Sequence, residues 1–405
     1  MHYGIVFDAG SSGSRIHVYT WRDDEGTGGF DLVEDDLKKV KPGLSAFAQE
    51  PSAAGTSLAP LLEHAESKVP PDSRGSTPVF LMATGGLRLV GEEAAAAVLR
   101  SVSDTLVSSP FLFRREWASI MPGMDEGVFG WVTVNYLLGL LSGPGRPATS
   151  GVIDLGGASV QFVYAQQPDT NADPEFRSSI TFAGQQHELY VRSFLGFGLD
   201  EARRRAATRL AEAAAEESHT SLPKHPCMPK GVKASLLLGN GSRSDFLGTG
   251  DFPGCSGLLR GLLDCSGPPC PFDPVHRPPL PGTIFGFSYL YDRTRAIGLL
   301  DGDAEEFGTQ HMSVADIRGA AAELCSARPM ESEERFAKCE DASKWANFCG
   351  DATYLAELLE HGFGIDPAMN LTMGNKIGSV EVVWTLGAII AKSASLGTAR
   401  SREEL

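Results

Sequence analysis

Asp8 and Asp154 stand at matching places in two similar stretches, "VFDAGSSGSRIHVY" from Val6 and "VIDLGGASVQFVY" from Val152. In each, an apolar strand ends in aspartate, a turn of glycine and small residues follows, and a second strand ends in tyrosine. The glycines let the backbone approach a ligand and leave amides exposed at the turn, which makes the hairpin a phosphate cradle. Two such hairpins facing each other across a cleft would clasp a polyphosphate from both sides. The acids would repel an anion placed directly on them, so they read as holders of a hydrated divalent cation that neutralises the phosphates.

Two further stretches add chemistry. "VFLMATGGLRLV" (79–90) ends a buried strand in small residues, where Thr84 could donate to a phosphate oxygen; the same letters also describe an ordinary strand-to-helix turn. "MDEGVFGWVTVN" places Asp125 and Glu126 before Gly127 at a helix start. Acids there are favourable with the helix dipole whatever else they do. Hydrolysis of a phosphoanhydride, however, needs a base that deprotonates a water in line with the terminal phosphorus, and a carboxylate between two phosphate-gripping hairpins would serve.

These groups need elements to hold them. Strands near 3–8, 15–21 and 77–84 alternate with helical patterns near 56–68 and 91–106, which is α/β order. Residues 126–141 carry an apolar helical stripe, 198–217 form an Ala-, Arg- and Glu-rich helix, and a further helix lies near 351–361. The stretch 221–283, rich in Pro, Gly and Cys, reads as a loop-rich insertion stapled by cross-links. At 405 residues and 42% hydrophobic, the chain suits two domains, and the repeated hairpin suggests related halves. The expected division is 1–122 plus 375–405 for the first and 123–374 for the second.

The net charge of −16 argues against nonspecific binding to nucleic acid or to an anionic membrane. No apolar run reaches the length of a membrane span, the nearest being "VVWTLGAIIA" at 382–391. The first strand starts at Tyr3, so any signal or anchor segment is expected outside residues 1–405. All seven cysteines fall between 227 and 349, without the paired CxxC or CxxH spacing of a metal site, which favours disulfides. Sequons at Asn240 and Asn370 fit the same oxidising compartment, the secretory lumen or the extracellular space.

The ordered set "DAGSSGSR", "ATGGLRL", "DEGVFGWVTVNYLLG", "DLGGASVQ" and "WTLGA" resembles the five conserved regions of the nucleoside triphosphate diphosphohydrolases, the apyrase family. The resemblance spans nearly the whole chain and implies two RNase H-like domains of the actin-like superfamily, with a nucleotide cleft between them. It implies hydrolysis of terminal phosphates of nucleoside tri- or diphosphates with Ca²⁺ or Mg²⁺. Glu126 would be the base, and Asp8, Asp154 and Trp384 would hold the metal through waters. Ser11, Ser12 and Gly13 with Gly156, Gly157, Ala158 and Ser159 would form the phosphate loops, and Thr84 and Gln161 would contact the terminal phosphate or the attacking water. Tyr289 or Tyr291 would stack on the base. The family pattern further implies the pairs Cys227 with Cys255, Cys265 with Cys270 and Cys325 with Cys349, leaving Cys339 over. One departure is Gly85, where the family usually carries alanine, a change expected to be tolerated.

Rival readings with the same hairpins are an actin-fold kinase, a polyphosphate or guanosine pentaphosphate hydrolase, and a non-catalytic nucleotide-binding module. The motif around Glu126 and the cysteine-bearing insertion favour the apyrase reading over all three.

Overall fold

The computed structural model describes residues 1–10, 13–23, 30–141, 148–166, 173–216, 221–264, 272, 277–300, 309–328, 336 and 342–403, with 342, 343 and 394–403 described by backbone alone. Strands β1 (His2–Ala9), β2 (Ser14–Arg22), β3 (Asp31–Val40), β4 (Val79–Ala83) and β5 (Ala118–Ile120) form one sheet in the order β3-β2-β1-β4-β5. The first three run antiparallel, while β4 and β5 continue parallel to β1. Helices α1 (Ser52–Thr56), α2 (Ala59–Lys68), α3 (Pro71–Arg74), α4 (Gly85–Arg88) and α5 (Glu92–Val107) belong to the same half, and α6 (Gly123–Leu137) leaves it.

The second half repeats this plan. Strands β6 (Gly151–Leu155), β7 (Ser159–Ala165), β8 (Arg177–Phe182) and β9 (Gln185–Leu195) precede helix α7 (Leu199–Glu216). Strands β10 (Lys224–His225), β11 (Lys233–Leu237) and β12 (Arg243–Gly248) with helix α8 (Phe252–Leu263) come next. The lobe closes with β13 (Ile284–Ser288), α9 (Tyr289–Ala296), β14 (Thr309–Ser313), α10 (Val314–Ser326), α11 (Phe348–Glu357) and β15 (Asn370–Gly374); α12 (Trp384–Glu403) follows. The large sheet runs β14-β15-β13-β6-β7-β9-β8, and its inner five strands repeat the first sheet's order and sense.

Alternation along the strands decides which way the acids face. Ile5 and Phe7 of β1 pack outward with Leu61 and Val98, while Val6 shares a second core with Trp131 of α6 and Ile389 of α12. In β6, Ile153 and Leu155 point outward, and Val152 joins that same shared core. Asp8 and Asp154 are in step with Val6 and Val152, so both lie on the faces that the shared core joins. The helices there touch closely: Thr133 of α6 donates to the Val383 carbonyl and accepts from the Gly387 amide, each at 2.8 Å. A Cβ at Gly387 would stand 2.0 Å from the Phe129 carbonyl oxygen, so only glycine permits this approach.

The insertion departs from the loop-rich expectation. It holds the three-stranded sheet β10-β12-β11 and the helix α8. Asp251 caps α8 by accepting from the Gly254 amide, Pro253 sits in the first turn where no amide bond is lost, and Leu259, Leu262 and Leu263 are buried. Cross-links are present beside this structure: Cys227 pairs with Cys255, and Cys325 with Cys349. With sequence separations of 28 and 24 residues, each stabilises the fold by roughly 3 kcal/mol through the unfolded chain. Cys265, Cys270 and Cys339 lie outside the described residues. Among the described residues, no helix is long and apolar enough to cross a membrane.

Candidate active site

Both hairpins close through the same bond. The Gly10 amide donates to the Gly13 carbonyl at 3.0 Å, and the Gly156 amide donates to the Ser159 carbonyl at 3.0 Å. Register is equivalent too, with Asp8 opposite Arg15 and Asp154 opposite Gln161. Ser11 and Ser12, at the tip of the first loop, lie outside the described residues. The second loop is pinned from behind: Leu199 and Asp200 donate from the start of α7 to the Gly156 and Gly157 carbonyls at 2.9 and 3.0 Å. Its front meets the first lobe at Gly85, where a Cβ would lie 2.8 Å from Ala158 Cβ and 3.2 Å from Ser159 Oγ. The departure from alanine at Gly85 thus coincides with a very close approach of the lobes. Thr84, buried, caps the end of β4 beside it, its amide donating to the Ala9 carbonyl at 3.2 Å.

Glu126 sits in the first turn of α6 with 7% of its surface exposed, whereas its neighbour Asp125 is exposed. Gly127 makes this possible, because a Cβ there would stand 2.7 Å from Val163 and 3.2 Å from Gln161 Cβ, so α6 lies directly against β7. The Glu126 carboxylate accepts from Arg88 Nη2 at 2.6 Å and from Gln161 Nε2 at 3.3 Å. Burial pushes its carboxyl up to about 7; Arg88 opposes that rise, and the charges of Asp154 and Asp8 add to it. Gln161 Nε2 also lies 2.9 Å from Ser159 Oγ and 3.2 Å from Ser193 Oγ, which fixes the amide's orientation.

Asp154 is buried and pushed up to about 6, chiefly by loss of water, with a bond from Ser288 opposing and the charge of Asp8 adding. Asp8 is raised by burial too, against the opposing charges of Arg15 and His17. Two buried acids, each raised by loss of water and placed on facing lobes beside two amide-lined turns, offer oxygen donors that suit a hard divalent cation. Trp384 opens α12 and packs 4% exposed in the shared core. Tyr289 donates to Asp200 Oδ2 at 3.3 Å, and Tyr291 is buried in the second lobe's core.

Three participants carried no signal of their own in the sequence. Arg88 lies within a motif but is tied to Glu126 only by the fold; Nε also donates to the Met121 carbonyl at 2.9 Å. Ser193 comes from β9. Ser288 ends β13 with φ of +56°, a backbone state that non-glycine residues rarely hold.

Two lobes of one topology, each carrying a glycine turn and a buried acid on the face that the shared core joins, make a two-lobed actin-like fold. Residues 1–401 match the GDA1/CD39 (nucleoside phosphatase) family, and the chain belongs to it. It is 36% identical over 405 residues to ectonucleoside triphosphate diphosphohydrolase 5 of Gallus gallus, covering 98% of this chain and 88% of that protein. It is 33% identical over 419 residues to the guanosine-diphosphatase of Schizosaccharomyces pombe, covering 96% and 73%. Among solved structures, nucleoside triphosphate hydrolases from Neospora caninum share the fold with a TM-score of 0.68 at 16% identity, over 96% of this chain and 92% of that one. The chain is thus a nucleoside phosphatase.

Proposed function

We propose that this enzyme hydrolyses the terminal phosphoanhydride of nucleoside di- and triphosphates, with Glu126 as the general base. The observation that carries the reading is a buried carboxylate, held by Arg88 and Gln161, between two hairpins of phosphate-cradle type. Water attacks the terminal phosphorus, a new P–O bond forms, the bridging P–O bond breaks, and the nucleotide leaves one phosphate shorter. The water's proton passes to Glu126 and then to solvent. Gln161, fixed by Ser159 and Ser193, orients the water or an oxygen of the transferred group. Thr84 and the amides of Gly13 and of Gly157 to Ser159 grip the phosphates, together with Ser11 and Ser12, while the Gly156 amide closes its turn. Ca²⁺ or Mg²⁺, held through water by Asp8 and Asp154 with Trp384 nearby, would supply charge neutralisation.

The nucleoside end fits the cavity of about 570 Å³ whose walls include Asp200, Arg203, Leu236, Arg243 and Tyr354. It adjoins the second phosphate loop through the bond from Asp200 to Gly157, and Tyr289 is bonded to Asp200 of its wall, whereas Tyr291 packs in the second lobe's core. The fission-yeast relative is named for a diphosphate and the chicken relative for a triphosphate, so both lengths of phosphate chain fall within this reading. The disulfides Cys227–Cys255 and Cys325–Cys349 support a location in the secretory lumen or outside the cell.

Glu126→Gln keeps the side chain's size and removes the proton acceptor. Phosphate release should fall roughly 10²- to 10⁴-fold with little change in nucleotide affinity, while Asp125→Asn should cost less than about tenfold. Equal, small losses at both positions would sink the assignment.

A further inference from the structure

The two hairpins are equivalent in turn and register, yet the residue opposite the aspartate differs: Gln161 in the second, Arg15 in the first. Gln161 is already committed, with its amide within reach of Glu126, Ser159 and Ser193. By the pseudo-symmetry, Arg15 occupies the corresponding place on the opposite wall of the cleft. Two arginines touch the site's carboxylates, and they are held very differently. Arg88 is 12% exposed and locked by bonds of 2.6 and 2.9 Å, to Glu126 and to the Met121 carbonyl. Arg15 is 39% exposed and rests on Asp8 by one contact of 3.4 Å, at the outer limit of a hydrogen bond.

A guanidinium so loosely held, at the mouth of a phosphate turn and against an acid suited to a cation, can leave that acid for a stronger anion. We propose that Arg15 is a catalytic residue of the reaction proposed above: it binds a non-bridging oxygen of the phosphoryl group being transferred and stabilises the charge that grows there. Arginine suits this task, since its planar fork meets phosphate oxygens two at a time and stays charged at any working pH. Arg88 cannot offer that fork, because its Nε and Nη2 are held by the Met121 carbonyl and Glu126, and only its buried Nη1 is left without a partner among the described residues. The inference rests on the nucleoside-phosphatase mechanism and adds a charged side-chain contact to the neutral ones proposed above.

The test uses Arg15→Gln, which copies the opposite hairpin, and Arg15→Lys, which keeps the charge without the fork. Three quantities are measured on each folded variant, with thermal melting as the control for folding: phosphate release from a nucleoside diphosphate, affinity for its non-hydrolysable α,β-imido analogue, and affinity for a nucleoside monophosphate with orthovanadate, which mimics the transferring group. Arg15→Gln should lower kcat roughly 10²- to 10³-fold and weaken the vanadate complex by a similar factor, with the imido analogue changed by less than about fivefold. Arg15→Lys should recover part of both losses. The proposal is overturned if Arg15→Gln turns over and binds vanadate within about threefold of wild type, or if excess Mg²⁺ restores its activity, since Arg15 would then only steady Asp8. Wild type that releases phosphate from no nucleotide would instead overturn the parent reading.

Discussion

The Asp8 and Asp154 hairpins share strand order, register and turn bond, but they are wired with different chemistry. Around Asp8 the inward positions are basic side chains paired with acids: Arg15 opposite Asp8 and, two residues on, His17, which is fully buried and 2.8 Å from Asp35. Around Asp154 the same positions are Gln161 and Val163, and the nearby donors are the hydroxyls of Ser159 and Ser288. A repeated backbone device therefore leaves the side chains of each copy free to differ. The second copy is a neutral frame for the proposed base Glu126; the first holds the loosely bound charge of Arg15.

The largest expected effect comes from removing the feature both copies share. Asp8→Asn and Asp154→Asn should each lower phosphate release roughly 10³-fold or more, the loss of several kcal/mol of charge stabilisation. A cation titration of both variants checks this. If either retains near-normal turnover, the two acids do not form one site.

A smaller effect should separate Arg88 from Arg15. The base must be ionised, so kcat/KM should fall about tenfold per pH unit below an acidic limb governed by Glu126, whose carboxyl burial pushes up to about 7. Arg88 opposes that rise, so Arg88→Met should move the limb upward by roughly one pH unit. A pH profile of kcat/KM that keeps its limb in Arg88→Met would leave Arg88 a purely structural role.

The smallest effect is on stability. Glu126 and Asp154 have folded-state values of about 7 and about 6, against ordinary values of 4.5 and 3.8. Because the folded protein binds more protons across those windows, their contribution is fully present below the ordinary values and is lost as pH rises through the raised ones. A cation favours the ionised acids and should raise the melting temperature by a few degrees at pH 7.5, and by less at pH 5. Melting curves with Mg²⁺ or with chelator at both pH values check this; an equal gain at both would place cation binding away from these acids.

What the sequence made legible was what is local. A strand, an acid and a glycine turn are contiguous, so both hairpins and the helix bearing Glu126 could be read directly. Contacts made only by folding could not: Arg88 and Glu126 are 38 residues apart, and an arginine four places after Thr84 looks like an ordinary charge at a helix end. Ser193 and Ser288 are single hydroxyls on strands, one of them held at an unusual φ that composition does not announce. The insertion misled because Pro and Gly mark turns between short elements as readily as they mark loops. Its strands KASLL and RSDFLG alternate, but over too few residues to stand out.

Helix α12 packs on the first lobe but follows the whole second lobe in the sequence. Strand β1, which ends beside Asp8, packs against α12, where a Cβ on Gly4 would stand 2.6 Å from Ile389, and Tyr19 of β2 bonds Thr385 at 2.8 Å. During synthesis the inward face of the first lobe must therefore wait, uncovered, until the whole second lobe and then α12 have emerged. A chain halted before α12 would carry both hairpins and Glu126 without the helix that packs behind Asp8, and should hydrolyse nucleotides poorly.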